Sequence, residues 1–155
     1  NVADYFQHWL EMERTSVDPT KLPKVYFVNW FRKTAKGEFM WPGFGDNSRV
    51  LKWICDRIEG KVGCQKTAIG NLPKAADISL ENNTGKDTVN EKFLKAILKV
   101  DKEGWLDEVK TIGASYDEYD AKASKDNKNV NKAARRVPAA LRAKLAEITA
   151  ALSAK

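Results

Sequence analysis

Residues 39–46 divide the chain, because their sequence FMWPGFGD suits neither a helix nor a central strand. These eight positions hold three aromatic residues, one Pro and two Gly. Pro removes a backbone donor, and Gly weakens helices and strands alike. The segment is therefore predicted to be a structured loop, and its aromatic content raises the question of what the loop holds.

The segments on either side of this loop have clearer patterns. Residues 4–13 predict a short helix whose apolar face carries Tyr5, Phe6, Trp9 and Leu10. Residues 25–31 (VYFVNWF) predict a buried strand, because all but one of these seven residues are β-branched or aromatic. Residues 48–59 predict a helix with Asn47 or Ser48 as its N-cap. The buried stripe of that helix is predicted to be Val50, Leu51, Ile54 and Ile58.

The rest of the chain is predicted to be mostly helical. Residues 64–80 suggest short strands or extended segments, and residues 90–100 a helix, after which Asp101 is predicted to cap a second helix. Residues 121–136 predict a polar, mobile linker, and residues 138–154 a terminal helix with Pro in its first turn. The predicted fold class is therefore α/β in the mixed α+β sense: short strands and an aromatic loop followed by a helical C-terminal half.

Composition argues against several functional classes. No apolar run approaches the roughly 20 residues that span a bilayer, so no membrane association is expected. Two Cys, Cys55 and Cys64, are few for a secreted scaffold of this size, which favours reduced thiols and a cytoplasmic location. Cys55 is predicted to be a small core residue. The only His, His8, has no Cys/His cluster around it, so no metal site is expected in this segment.

The positive charge of the chain is concentrated in its tail. Residues 121–155 hold nine Lys/Arg and two Asp/Glu, whereas the other 120 residues hold 18 and 19. A basic tail is compatible with a nucleic-acid-binding module. The tail has no aromatic residue after Tyr119 to stack on bases, and the favoured interpretation is a solvated linker and a surface helix.

Two nearby segments form the candidate site. Asn29-Trp30-Phe31 ends the predicted strand, and residues 39–47 run from the loop into a helix, which is where ligands commonly bind in α/β architectures. Phenylalanine rings can form a slot for a flat heterocycle, and stacking contributes about 1–3 kcal/mol per base. Glycines beside Phe44 permit close backbone approach, and Asn47 offers a donor and an acceptor to a base edge. The alternative is that Phe39, Trp41 and Phe44 plug a core while Asn47 caps the helix.

The stretch VYFVNWFRKTAKGEFMWPGFGDNSRVLKWICDRIEG, residues 25–60, resembles the GTP-dependent phosphoenolpyruvate carboxykinases. Residues 5–10, 22–24 and 68–80 are similar to the family too, and the rest only in helical outline. The resemblance implies a guanine cage of Phe31, Phe39 and Phe44, with Asn47 at the base edge and Gly45 and Asp46 in the same loop. Many relatives have Glu at the position of Asp46, so the carboxylate here is one methylene shorter.

The resemblance also implies what the chain does. Residues 1–155 would be the C-terminal part of the nucleotide-binding domain, in a P-loop-containing carboxykinase fold. The whole enzyme would be a monomer converting oxaloacetate and GTP to phosphoenolpyruvate, GDP and CO₂. No G-x-x-x-x-G-K-[ST] motif occurs here. Catalytic residues and the ligands of Mn²⁺ and Mg²⁺ are therefore expected in the remainder of the carboxykinase chain, and this segment alone is expected to be inactive. The alternatives are a non-catalytic nucleotide-binding domain and the nucleic-acid module.

Overall fold

The computed structural model describes residues 2–82, 88–125 and 136–154, in which helices accompany one small sheet. The helices are α1 (Val2–Thr15), α2 (Asn47–Ile58), α3 (Glu91–Ile97), α4 (Lys102–Lys125) and α5 (Ala139–Ser153). Strands β1 (Gln65–Thr67) and β2 (Gly70–Leu72) pair antiparallel, with Lys66 opposite Asn71. Short 3-10 helices occupy Pro19–Lys21, Phe44–Asp46 and Ala75–Asp77. The mixed helix and strand content agrees with the predicted class.

The chain divides into two compact units, residues 24–100 and residues 1–23 with 101–155. The core of the first unit is formed by Trp41, Trp53, Ile78, Val89 and Leu94. Helix α3 closes this core, and Asn90 caps it by accepting a hydrogen bond from the Phe93 backbone N–H at 3.0 Å. None of the helices in the described ranges is both long and apolar enough to cross a bilayer.

The buried face of α2 differs from the predicted stripe. Trp53 is buried on this helix and Val50 and Ile54 pack beside it, whereas Leu51 and Ile58 are exposed. At 3.6 residues per turn, Leu51 and Ile58 lie on the flank of the helix, to one side of the Val50–Trp53–Ile54 face. Cys55 is also exposed, so the prediction of a core Cys was wrong, and both Cys are free thiols.

The start of α2 also differs from the prediction. The N-cap is Asp46, whose side chain makes no capping hydrogen bond, and Asn47 already has helical dihedral angles (φ −58°, ψ −32°). The Ser48 hydroxyl donates to the Gly45 carbonyl at 2.7 Å. Neither Asn47 nor Ser48 is therefore the N-cap, and the carboxamide of Asn47 is not committed to a cap.

The predicted strand at 25–31 is extended but unpaired. Within the described residues, 24–30 make no backbone–backbone hydrogen bond. Tyr26 packs edge-on against Trp53, with ring centroids 6.1 Å apart, and Trp30 lies 6.2 Å from Trp41. Val25 and Phe27 point outward and are 79% and 90% exposed. The strand prediction was wrong because high β-propensity forms a strand only when a neighbouring strand supplies the hydrogen bonds.

In the second unit, α1 and α5 both pack on α4. Ala3 is buried on α1, and the Phe6 ring packs edge-on against Tyr116 of α4 with centroids 6.0 Å apart. Tyr5 and Trp9 are exposed, which corrects the predicted apolar face of α1. Ala3, Phe6 and Leu10 instead lie on one side of the helix, at spacings of three and four residues.

Helix α4 begins and ends at identifiable signals. Asp101 accepts a hydrogen bond from the Gly104 backbone N–H at 3.2 Å, as predicted for the cap. The helix runs to Lys125, so the predicted linker at 121–136 is helical over its first five residues. Lys122 pairs with Glu118 one turn earlier, which supports helix at these positions. Residues 126–135 of the linker lie outside the described residues.

Arg142 connects α5 to α4. Its guanidinium donates to Asp117 at 2.8 Å and to Asp120 at 2.9 Å, and it lies 5.7 Å from the centre of the Tyr116 ring. The other Asp120 oxygen accepts from the Val137 backbone N–H at 2.7 Å, just before α5 begins. Burial raises the pKa of the Asp120 carboxyl, but the hydrogen bonds from Val137 and Arg142 outweigh it, so the pKa lies below 3.8.

Arg142→Met is expected to increase amide exchange in α5 of the full-length protein about fivefold at neutral pH, because a partly exposed ion pair contributes about 1 kcal/mol or less. Lys144→Met is the matched control, since among the described residues Lys144 pairs with Glu147 alone, on the same helix and at 2.7 Å. The folded pKa of Asp120 is lowered, so its stabilisation is complete above the unfolded value. The difference between Arg142→Met and wild type should therefore shrink only as pH falls below about 3.8. Equal effects of the two variants would contradict the role given to Arg142.

Candidate functional site

A tight hairpin brings Phe31 and Phe39 together. Lys33 and Phe39 form an isolated antiparallel bridge, flanked by hydrogen bonds from Thr34 N to Glu38 O at 2.9 Å and from Met40 N to Arg32 O at 2.8 Å. The turn closes at Gly37, whose φ of +83° is a conformation that favours glycine. The Phe31 and Phe39 rings meet edge to face, with centroids 6.0 Å apart and planes at 63°. Two of the three predicted cage residues are therefore neighbours.

These two rings face solvent. Phe31 is 72% exposed and Phe39 is 59% exposed. Large aromatic side chains that stay exposed side by side commonly mark a binding surface. In the core-plug interpretation Phe39 and Phe44 would be buried together with Trp41. Only Trp41, which is 8% exposed, fills the core under the loop. The loop thus buries one aromatic residue and leaves the others accessible.

Phe44 has an unusual backbone conformation. Its φ is +33°, it follows Gly43 at φ +82°, and its side chain is 98% exposed. A bulky residue with positive φ is uncommon and costs of order 1–3 kcal/mol, and such strain clusters at functional sites. Among the described residues, Phe44 makes no ring contact with Phe31 or Phe39. The structure therefore brings together two of the predicted cage rings. The third, Phe44, makes no ring contact with them in the described part of the chain and lies three residues before Asn47.

Trp41 orients the side chain of Asn47. The Trp41 Nε1–H donates to Asn47 Oδ1 at 2.8 Å, and the Trp41 ring is held between Trp30 at 6.2 Å and Phe93 at 6.1 Å. An indole nitrogen can only donate, so the atom facing it must be the carboxamide oxygen. The Asn47 amino group is therefore assigned to the other side, and it has no hydrogen-bond partner within the described residues.

Asp46 and Gly45 belong to the polar side of the same loop. Asp46 Oδ1 pairs with Arg49 Nε at 2.8 Å, and Arg49 also donates to the carbonyls of Ser79 at 2.8 Å and Glu81 at 3.1 Å. The Asp46 carboxylate is thus engaged in fixing the loop to residues 79–81. Beside it lies an open depression of about 360 Å³, lined by Gly45, Asp46, Ser48, Arg49, Glu81 and Asn82.

Two contacts that shape this site were not predicted from the sequence, although Asn29 itself belongs to the predicted candidate site. Asn29 Oδ1 accepts from the Phe31 backbone N–H at 3.0 Å, a turn that sets the direction of Phe31. Arg32 donates to the Ile97 carbonyl at 2.8 Å and so connects the hairpin to the end of α3. The Asn29 turn had a local signal, because Asn two residues before a chain reversal is typical of such turns. The Arg32 contact spans 65 positions and had none.

The described residues do not fit a metal site. Across residues 2–82, 88–125 and 136–154, no group of three or more His, Cys, Asp and Glu side chains is placed to hold an ion. Hard cations such as Mg²⁺ require several oxygen ligands converging at one point. The Mn²⁺ and Mg²⁺ that the family resemblance implies therefore have no fitting donor set here.

Comparison with known proteins identifies the family. Residues 1–137 match the family described as the phosphoenolpyruvate carboxykinase C-terminal P-loop domain. The chain is 43% identical over 148 residues to phosphoenolpyruvate carboxykinase [GTP] of Corynebacterium kroppenstedtii, covering 86% of this chain and 23% of that protein. It is 46% identical to the enzymes of that name from Corynebacterium glutamicum, covering 70% of this chain, and Treponema pallidum, covering 72%.

These matches cover most of the chain but a small part of each relative. The chain spans 17% of the length of the last two relatives. The match to the family reaches residue 137, well beyond the 25–60 stretch that carried the resemblance and into the helical half. The chain belongs to the GTP-dependent phosphoenolpyruvate carboxykinases and corresponds to part of their C-terminal P-loop domain.

Proposed function

We propose that this chain is the guanine-binding segment of an enzyme that converts oxaloacetate and GTP to phosphoenolpyruvate, GDP and CO₂. The observation that carries the proposal is the solvent-exposed Phe31–Phe39 pair beside the strained loop at Phe44. Phosphoryl transfer depends on positioning more than on covalent chemistry from the protein. The role proposed for this segment is to hold the base, so that the phosphates reach the catalytic groups in a fixed position.

Base stacking is proposed to involve all three phenylalanines. Phe31 and Phe39 already present ring surface to solvent, and Phe44 lies fully exposed three residues before Asn47. A guanine that entered beside the pair would give the Phe44 ring a partner that it lacks among the described residues. Each stacked ring contributes about 1–3 kcal/mol. Binding energy of this size can offset the strain of the positive φ at Phe44.

Selectivity for guanine is proposed to reside in Asn47. Because Trp41 holds the carboxamide oxygen, the amino group of Asn47 remains available as a donor. A donor suits the keto oxygen of guanine and opposes the exocyclic amine that adenine has at the same position. The backbone of Gly45 borders open space, and its polar groups are proposed to contact the same edge of the base. Asp46 would support this loop through Arg49 rather than contact the base.

The remainder of the carboxykinase chain is the proposed partner of this segment. The unpaired backbone of residues 24–30 and the exposed Val25 and Phe27 suit a strand supplied by that remainder. The phosphates, Mn²⁺ and Mg²⁺ would be held by residues outside this sequence, and we propose that no catalytic residue lies in this segment. We propose that the enzyme is monomeric and cytoplasmic, and the two free thiols favour the cytoplasmic location.

Nucleic-acid binding is the less favoured function for the basic tail. Arg142 and Lys144 are both paired with carboxylates on α4 or α5, and Lys122 is paired with Glu118. Cations that are already paired offer less to phosphates than a free basic stripe would.

Hydrogen exchange of the full-length enzyme with and without GDP tests the proposal directly. GDP is expected to protect amides in residues 31–47, and ADP at equal concentration is expected to protect them much less. The amides of α5 serve as an internal control, because they belong to the other compact unit. Protection by GDP that leaves residues 31–47 unchanged would place the base elsewhere and reject the proposal.

A further inference from the structure

We propose that Lys33 is a positioning residue of the nucleotide site, which acts through Phe39. The Lys33 ammonium lies over the Phe39 ring, 5.0 Å from its centre. This inference rests on the proposed function, because it concerns how the ring is held for a guanine nucleotide. The inference goes beyond the proposed function because Lys33 is not one of the residues proposed to stack on the base or to contact its edge.

The backbone fixes this contact. Lys33 and Phe39 are directly opposite each other in an antiparallel bridge, so their side chains emerge on the same face of the hairpin. The hydrogen bonds at Thr34–Glu38 and Arg32–Met40 on either side hold that register. The pairing therefore brings the ammonium to the ring without any adjustment of the chain.

The charge of Lys33 is available for this contact. Within the described residues, Lys33 forms no ion pair and no side-chain hydrogen bond. A cation over an exposed aromatic face is attracted by the ring quadrupole. Phe31 meets the same ring edge to face at 6.0 Å. Phe39 is thus held from two sides although more than half of its surface is exposed.

A ring held in this way binds a base at lower entropic cost. An exposed Phe side chain that is free to rotate loses that freedom when a ligand stacks on it. Lys33 already restricts the Phe39 ring in the free protein, so the ring loses less conformational entropy when the nucleotide binds. The effect is on binding of the base, equally in the ground state and the transition state, so it alters KM and leaves kcat unchanged.

The test compares Lys33→Met and Lys33→Arg in the full-length enzyme, with Lys36→Met as the matched control in the same turn. Guanosine and GDP are titrated separately, so that base and phosphate effects are distinguished. Lys33→Met is expected to weaken both ligands by the same factor of about three, because the ordering cost of one side chain on binding is of this size. KM for GTP should rise by that factor at constant kcat. Lys33→Arg should restore binding, and Lys36→Met should bind as wild type does.

Three outcomes would overturn the inference. A loss for GDP without a loss for guanosine would mean that Lys33 meets phosphate. An equal loss in Lys33→Arg would mean that the charge over the ring is not responsible. Wild-type affinity in Lys33→Met would mean that Phe39 needs no such support. In each of these cases the wild-type enzyme still binds GDP with protection of residues 31–47, so failure here is distinct from failure of the proposed site.

Discussion

Phe44→Ala is expected to weaken GDP binding by the full-length enzyme more than tenfold. The Phe44 ring is almost entirely exposed and its backbone is strained, so a base stacked on it would cover ring surface that the described residues leave in water. Removal of one stacking ring costs roughly 1–3 kcal/mol, and the middle of this range, about 2 kcal/mol, is about a thirtyfold loss of affinity. Calorimetric titration with GDP measures the change.

Two further variants make the Phe44 result specific. Phe44→Leu retains apolar bulk but has no flat face, so it should recover little of the lost affinity if stacking is the cause. Tyr5→Ala removes another exposed aromatic side chain, in the other unit, and should leave GDP affinity unchanged. GDP affinity in Phe44→Ala equal to that of wild type would mean that the third ring takes no part in holding the base.

Asn47→Ala is expected to reduce the preference for GDP over ADP by about tenfold, since loss of a matched polar contact in a closed site costs roughly 1–3 kcal/mol. The loss should fall on GDP and leave ADP nearly unaffected. IDP, which shares the keto oxygen of GDP but lacks the exocyclic amine, should weaken by the same factor as GDP. Parallel titrations of the three nucleotides give the ratios.

Trp41→Phe separates the orientation of Asn47 from its presence. The variant keeps an aromatic ring in the core but removes the indole N–H that fixes the carboxamide oxygen at 2.8 Å. Selectivity for GDP over ADP should fall less than in Asn47→Ala, because the amino group can still reach the base in some orientations. An Asn47→Ala variant that weakens GDP and ADP alike would show that Asn47 supports the loop and does not discriminate between bases.

Periodicity predicted the helices better than it predicted their faces. The spacing of apolar residues predicts α2 within one residue of its observed ends. The same spacing assigned Leu51 and Ile58 to the buried stripe, whereas both are exposed and Trp53 is buried instead. A stripe of aliphatic residues gives the rotation of a helix about its axis only to within about one residue position. The largest side chain, in this case Trp53, then decides which side of the helix faces the core.

The unpaired state of the extended segment 25–31 could not be predicted from its own residues. Its β-branched and aromatic composition describes a side-chain surface, whereas strand pairing depends on a second segment of chain. The Asn47–Trp41 hydrogen bond is equally inaccessible to periodicity, because it crosses an irregular loop. The aromatic loop and Asn47 were singled out from their residue types, and the family resemblance added the guanine cage. The fold brings two of the cage residues, Phe31 and Phe39, into contact.

The exposed hairpin has a further consequence for how copies of the molecule behave in solution. Three rings left in water would ordinarily drive self-association. Arg32, Lys33 and Lys36 lie in the same hairpin as two of these rings, Phe31 and Phe39, and Glu38 is the one acidic residue between them in the sequence. Two hairpins approaching face to face would therefore meet with like charge, and this repulsion opposes self-association through the exposed rings.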